Sequence, residues 1–173
     1  MKLKKYQFKK VKSTNDIAIK KIKSGIRRGI IIAETQTKGR GQYGKKWISF
    51  KGNLFMSVFF EINTSISIKN ITLKNCEIIR RSIKKFTKNK INIKSPNDLL
   101  INNEKICGIL QETFFQNKKK FVVVGIGLNL VKSPKIKKYP TNYLNKYTSK
   151  NISKLTLFRS IKYLYEKKIN YLI

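Results

Sequence analysis

Leu99-Leu100-Ile101-Asn102-Asn103-Glu104-Lys105-Ile106-Cys107-Gly108-Ile109-Leu110 is the stretch that decides the fold class. Two apolar runs, Leu99 to Ile101 and Ile106 to Leu110, flank Asn102-Asn103, and this predicts a hairpin. A further strand, Phe121 to Val124, runs into Gly125-Ile126-Gly127-Leu128-Asn129. Outward from this block, Ile91 to Lys94 reads as a strand stopped by Pro96, and Tyr6 to Val11, Gly29 to Thr35 and Leu54 to Ile62 read as three more. The first helix follows the capping residues Ser13-Thr14-Asn15-Asp16, carries Ile17, Ala18 and Ile22, and ends near Gly25. A second begins at Thr72, with Leu73, Cys76, Ile79, Ile83 and Phe86 at helical spacing. The last spans Leu155 to Ile169, with Leu157, Ile161, Leu164 and Tyr165 on one face, after an irregular connection marked by Pro134 and Pro140. The strands cluster without a helix between each pair. The reading is one α/β domain with a largely antiparallel or mixed sheet.

Composition narrows the chemistry. The chain has 173 residues, enough for one domain with a real core, and no apolar stretch long enough to cross a bilayer. The basic N-terminus has no apolar run behind it, so no signal peptide is expected, and two cysteines at no metal-ligand spacing suit a reducing cytoplasm. Histidine is absent, which excludes Ser-His-Asp and Cys-His catalysis and any histidine base. With only eight carboxylates, an enzyme built from this chain works by positioning and positive charge. Reactions whose nucleophile is already ionised fit that constraint. The net charge of +32 invites a nucleic-acid reading, but only six of the forty basic residues are arginine and the lysines are spread along the whole chain. Weak polyanion binding is read as a by-product, with no specific nucleic acid and no membrane as partner.

Four polar or Gly-rich segments lie at strand ends: Ser13-Thr14-Asn15, Gln36 with Gly39-Arg40-Gly41-Gln42-Tyr43-Gly44-Lys45-Lys46-Trp47, Lys94 to Asp98 with Lys105, and Gly125 to Asn129. Three glycines among three cations let backbone N–H groups approach an anion that the cations neutralise. Each segment also has a plain structural reading. The first is a helix cap, the second a flexible basic loop and Pro96-Asn97-Asp98 a turn. Gly125-Ile126-Gly127 lacks the third glycine and following helix of a dinucleotide fingerprint.

In this order and spacing the segments resemble the catalytic domain of biotin protein ligases. The family pattern S-T-N, Q-x-x-G-R-G-R-x-G-R-x-W, K-W-P-N-D, K-x-x-G-I-L-x-E and G-x-G-x-N is met by Ser13 to Asn15, Gln36 to Trp47, Lys94 to Asp98, Lys105 to Glu112 and Gly125 to Asn129. Tyr139-Pro140-Thr141 and the last helix look like the family's closing segment, so the resemblance covers nearly the whole chain. It implies an α+β fold like the class II aminoacyl-tRNA synthetase core, the biotin–lipoate ligase catalytic core, with a mixed, largely antiparallel sheet backed by helices. It implies a single catalytic domain over residues 1–173, with neither an N-terminal helix-turn-helix nor a C-terminal barrel-like domain expected, and hence no repressor role. The activity implied has two steps. Biotin and MgATP give biotinyl-5′-AMP and pyrophosphate, and the biotinyl group then passes to a lysine of the biotin carboxyl carrier protein of acetyl-CoA carboxylase. ATP and Mg²⁺ are the implied cofactors.

The resemblance also implies roles. Ser13, Thr14, Asn15 and Gln36 lie at the ureido end of biotin, where a buried urea needs partners for both N–H groups and its carbonyl. Arg40, Gly41 and Gln42 belong over the biotin carboxylate and the adenylate phosphate, with Lys105 at the same negative centre; Gly108, on the biotin side, permits close packing against ligand, as do Gly125 and Gly127. Lys94 serves the phosphates. Gly39, Lys45, Trp47, Asn97, Gly125, Gly127 and Asn129 fall on the nucleotide side, and Asp98 orients Mg²⁺ or the incoming lysine. Arg40, Lys105, Asp98 and Lys94 are the implied catalytic set. Gln42 and Lys45 stand where family members carry arginine, and Ser95 replaces the usual tryptophan. Three rivals remain open: a lipoate or octanoate ligase or transferase of the same fold, a basic nucleic-acid-binding module, and a ligase fold that has lost its activity.

Overall fold

Side-chain alternation along the strands builds two unequal faces on one sheet. In the computed structural model, which describes residues 2–171, the elements are β1 (Lys5–Val11), α1 (Thr14–Lys23), β2 (Arg28–Gln36), β3 (Leu54–Ile62), α2 (Ile68–Lys84), β4 (Asn92–Lys94), β5 (Asp98–Ile101), β6 (Glu104–Gln116), β7 (Lys119–Leu128) and α3 (Lys154–Lys168). The strands form a seven-stranded sheet in the order β1-β2-β3-β7-β6-β5-β4. Only β1 and β2, joined through α1, pair in parallel; every other neighbour is antiparallel. The expected α+β architecture with a mixed sheet is the observed one.

One face is apolar throughout. Ile30, Ile32, Met56, Val58, Phe60, Val122, Val124 and Ile126 pack there against Ile71, Ile79 and Ile83 of α2 and Leu157, Ile161 and Tyr165 of α3. Each such side chain contributes about 1.5–3 kcal/mol when fully buried, so this layer dominates stability. The opposite face is divided. Ile31, Phe59, Phe121 and Val123 are covered by Ala18 and Ile22 of α1. That helix has ten residues, about 15 Å of length, and stops short of the remaining sheet. Beyond its N-terminus the same face carries Ser57 opposite Gly125 and Gly108 opposite Gly127. The absence of large side chains there leaves a trough.

The sequence pattern and the structure differ in three places. The central hairpin is longer than expected: β6 runs on to Gln116 and β7 starts at Lys119, turning through Asn117 and Lys118 at φ 48° and 61°. Gln111, Glu112, Thr113 and Gln116 break the apolar alternation because this end of the hairpin is partly exposed. Helix α2 starts at Ile68, one turn before Thr72, and Leu73 points to solvent while Ile71 takes the core position. Phe86 lies beyond the end of α2, packed against the core from the following turn. The Asn102-Asn103 hairpin is as read, with both residues at positive φ.

Asn53, at the start of β3, fastens the chain where it leaves β7. Its side chain is fully buried; Oδ1 accepts from the backbone N–H of Leu130, Val131 and Lys132 at 3.0, 3.0 and 3.2 Å, and Nδ2 donates to the Lys132 carbonyl at 2.7 Å. Asn53→Ala removes all four bonds at once. A loss of about 2–4 kcal/mol is expected, measured as a lower urea midpoint at unchanged m-value. A loss below about 1 kcal/mol would show that water replaces the amide there.

Candidate active site

The Gly-rich segment folds into a hairpin-like loop held by its own backbone. Trp47 N–H donates to the Gly39 carbonyl at 2.9 Å, Gly41 N–H to the Lys45 carbonyl at 2.7 Å, and Lys45 N–H to the Gln42 carbonyl at 3.2 Å. Arg40 and Lys46 form an antiparallel bridge between the two arms. At the tip Tyr43 and Gly44 both take positive φ, and Tyr43 is 91% exposed. Gly39 is buried behind the loop, where a Cβ would meet the Trp47 carbonyl at 2.7 Å; its role is close packing, and it does not line the cleft.

The loop arches over the trough, and the two enclose a cleft. Its floor depends on three glycines. A Cβ on Gly108 or Gly127 would approach the Trp47 ring to 2.7 or 2.4 Å, and one on Gly125 would approach Asn15 Oδ1 to 2.5 Å. These glycines were expected to admit a ligand; what they admit directly is the Trp47 indole and the Asn15 amide, which line the cleft in turn.

One end of the cleft is polar. Ser13 is the N-cap residue of α1, yet its side chain makes no capping bond and stays buried at the cleft wall. Gln36 Oε1 accepts from Thr14 N–H at 2.8 Å and lies 3.1 Å from Thr14 Oγ1. Asn15 Nδ2 donates to Glu112 Oε2 at 2.6 Å. Glu112 in turn receives Arg40 Nη2 at 3.0 Å on both oxygens, and Arg40 Nη1 binds Asp16. Burial opposes the Arg40 charge, but Asp16 and Glu112 more than offset it and hold the guanidinium above its ordinary pKa. Arg40 is therefore a strut tying the loop to α1 and β6. Glu112, Asp16 and Ser57 were not singled out from sequence. Glu112 stands in the K-x-x-G-I-L-x-E run, and that was its one visible signal.

The other end is cationic. Lys105 Nζ lies 2.8 Å from Asp98 Oδ1 and 5.6 and 5.3 Å from the ring centres of Trp47 and Tyr139. Its side chain is only 15% exposed. The backbone of Lys105 is held from outside the sheet: its N–H donates to the Pro140 carbonyl and its carbonyl accepts from Asn142 N–H, both at 3.0 Å. Glu104 secures that closing segment through the Tyr147 hydroxyl and Asn142 Nδ2. Those two donors hold the Glu104 carboxyl below its ordinary range, while burial and Glu104 push Tyr147 up to about 12. Gln42, Lys45 and Asn97 also line the cleft.

Besides Gly39, two expected residues stand apart from the cleft. Lys94, on edge strand β4, is exposed and does not line it. Asn129 lies in an adjoining recess with Trp47, Lys105 and Tyr139. Its Nδ2 donates to the Asn142 carbonyl, whereas Asn129 Oδ1 and Trp47 Nε1 are buried with no hydrogen-bond partner among the described residues. The Gly125-Ile126-Gly127 run lies inside β7, so it forms no strand-to-helix phosphate turn. Burial, with the Asp98 charge nearby, pushes the Cys76 thiol up to about 11 and Cys107 higher still, which removes both as nucleophiles.

Comparison with known proteins identifies the family and the fold. Residues 7–129 match the model of the biotin/lipoate A/B protein ligase family. The chain is 32% identical over 126 residues to the bifunctional ligase/repressor BirA of Escherichia coli, covering 69% of this chain and 38% of that protein. It is 29% identical over 112 residues to the biotin–[acetyl-CoA-carboxylase] ligase of Mycobacterium tuberculosis, covering 61% and 40%. The chain thus spans about two fifths of the length of these curated relatives. Among solved structures, the biotin protein ligase of Aquifex aeolicus in complex with biotin and ATP superposes with a TM-score of 0.80 at 24% identity, covering 96% of this chain and 70% of that one. The Leishmania major enzyme in complex with biotinyl-5-AMP gives 0.79 at 22%, covering 98% and 79%. A family match over well more than half its length, on a sheet whose open face carries the ordered motifs, decides the relationship: the chain belongs to the biotin/lipoate A/B protein ligase family.

Proposed function

We propose that the protein ligates biotin to a lysine of a biotin carboxyl carrier protein, that of acetyl-CoA carboxylase, through biotinyl-5′-AMP. The observation that carries this reading is one cleft with two chemically opposite ends, side-chain amides and hydroxyls at Ser13, Thr14, Asn15 and Gln36 and a largely covered ammonium at Lys105. A cyclic urea bearing a carboxylate tail matches that polarity. The reaction needs no base in its first step. The biotin carboxylate, ionised at neutral pH, attacks the α-phosphorus of ATP, and the bond to pyrophosphate breaks. In the second step the carrier lysine's amine attacks the acyl carbonyl, AMP leaves, and an amide forms. Lys105 draws two anions together and offsets the charge that builds between them.

The recess is lined by Trp47, Lys105, Asn129 and Tyr139, and aromatic rings beside a cation suit a nucleotide, which supports the nucleotide reading of Trp47 and Asn129. No group of three His, Cys, Asp or Glu side chains suited to a metal occurs among the described residues, and Asp98 faces Lys105. The chain's own residues therefore do not build a Mg²⁺ cage, and Asp98 is better read as the group that orients Lys105. A dithiolane head group offers nothing for four polar side chains to bond, so biotin is favoured over lipoate. No helix among the described residues is long and apolar enough to cross a membrane, and the reading is of a cytoplasmic enzyme.

Incubation with biotin, MgATP and a biotin carboxyl carrier domain is expected to give a streptavidin-detectable carrier, and lipoate is expected to give no transfer. Product with lipoate alone would reverse the assignment, and no product with either would end it. Lys105→Ala is expected to lower biotin-dependent ATP–pyrophosphate exchange by about 100-fold, since removing one preorganised donor costs about 3 kcal/mol of barrier. Lys94→Ala, at an exposed site off the cleft, is expected to change the same rate by less than about threefold. Comparable losses in the two variants would show that Lys105 holds no special place. Gln42 lines the cleft as a neutral amide where family members carry arginine. A charge-assisted bond is about twice as strong as a neutral one, so Gln42→Arg is expected to slow release of preformed biotinyl-AMP. Equal off-rates would show that position 42 does not touch the phosphate.

A further inference from the structure

We infer that Ser57, buried behind the polar end of the cleft, is a positioning residue that makes this end selective for a head group carrying N–H donors. The inference rests on the ligase reading above and deepens it. Ser57 sits on central strand β3 between Ile31 and Gly125, fully buried, and does not line the cleft. Whatever it does to a ligand passes through Thr14 and Asn15, which do line it.

Too few protons serve the contacts around Ser57. Ser57 Oγ lies 2.5 Å from Asn15 Oδ1 and 2.7 Å from Thr14 Oγ1, and Thr14 Oγ1 lies 3.1 Å from Gln36 Oε1. Both amides at the ends of this chain have fixed orientations. Asn15 Nδ2 faces the Glu112 carboxylate at 2.6 Å, which can only accept, so Oδ1 must face Ser57. Gln36 Oε1 receives the backbone N–H of Thr14 at 2.8 Å, which can only donate, so that amide cannot turn either. Between two fixed acceptors there are three oxygen–oxygen contacts and two hydroxyl protons. One contact has no proton.

The distances say which. Asn15 Oδ1 is closed in against Gly125 and no other donor reaches it among the described residues, so the Ser57 proton goes to it across 2.5 Å. The 2.7 Å contact then requires the Thr14 proton to point at Ser57. The longest contact, 3.1 Å, is the one left without a proton, and Gln36, a residue of the cleft lining, keeps a free lone pair on Oε1. An N–H of a cyclic urea fills that vacancy. A head group with no donor leaves it empty, at a cost on the order of 10- to 100-fold in affinity. Ser57 holds the vacancy open by drawing the Thr14 proton away from Gln36.

The test is calorimetric, on the full chain, with biotin and the pair of carbamate analogues in which one or the other ring N–H is replaced by oxygen. The parent chain is expected to prefer biotin over at least one carbamate by about 10- to 100-fold. In Ser57→Ala the Thr14 hydroxyl turns to Gln36 Oε1, and the preference is expected to fall below about threefold. Adding Thr14→Val to Ser57→Ala removes the competing proton while keeping the branched shape, and is expected to restore the preference to within about threefold of the parent. A merely structural role predicts the reverse: both ligands weaken together, and the second substitution adds further damage. A preference unchanged in Ser57→Ala, or not restored in the double variant, overturns the inference while leaving the ligase reading intact. A parent chain that binds no biotin removes the ligase reading and this inference with it. Should Ser57→Ala not fold, Ser57→Cys, closer in shape and a poor donor, carries the same comparison.

Discussion

The site depends on a lack of side chains. Antiparallel pairing of β6 and β7 sets Gly108 opposite Gly127, and pairing of β7 with β3 sets Gly125 opposite Ser57. Because strand side chains alternate, these four positions share one face, and that face is hollow where its neighbours carry phenylalanine and valine. A Cβ at Gly127 would come within 2.4 Å of the Trp47 ring, nearer than any real contact. The hollow seats Trp47 and Asn15, and through them the loop and the start of α1. Sheet register, loop position and cleft shape are thus one constraint expressed three ways.

Charge is handled with similar economy. A chain of net charge +32 has few carboxylates to spare, and three of the eight are spent at the cleft. Asp16 and Glu112 engage Arg40, and Asp98 engages Lys105. Each pairing holds a long cation in one place, which matters more for chemistry than the modest stability that half-exposed ion pairs give. The two cations differ as a result. Arg40 is committed to two carboxylates and acts as a strut, whereas Lys105, with one carboxylate partner and two aromatic neighbours, lines the cleft.

Much of the site was legible in the sequence because its parts are short local runs. Ser13 to Asn15, Gln36, the Gly39 to Trp47 loop and the Lys105 to Gly108 segment do gather around one cleft. Lys94 did not join them, since a residue's place in a motif does not say which side of an edge strand it takes. Ser57 escaped notice for the opposite reason. It is one serine inside an apolar strand, and only the approach of Thr14 and Asn15 from another element gives it a role. The end of the β6–β7 hairpin was missed because exposed strand positions lose the alternation on which the reading depends.

Sequence alone determined the number and kind of elements, the exclusion of histidine chemistry, the glycines and the family. Those features are local, or depend on residue type, or on order along the chain. Tertiary structure decided which carboxylate meets which cation, that three glycines serve Trp47 and Asn15 before any ligand, and that Ser57 stands behind Thr14. These contacts join residues up to 110 positions apart, and all but the Asp98–Lys105 pair are at least 24 apart, so local patterns do not encode them. They exist because register, set by burying one apolar face under α2 and α3, brings distant side chains within bonding distance on the other.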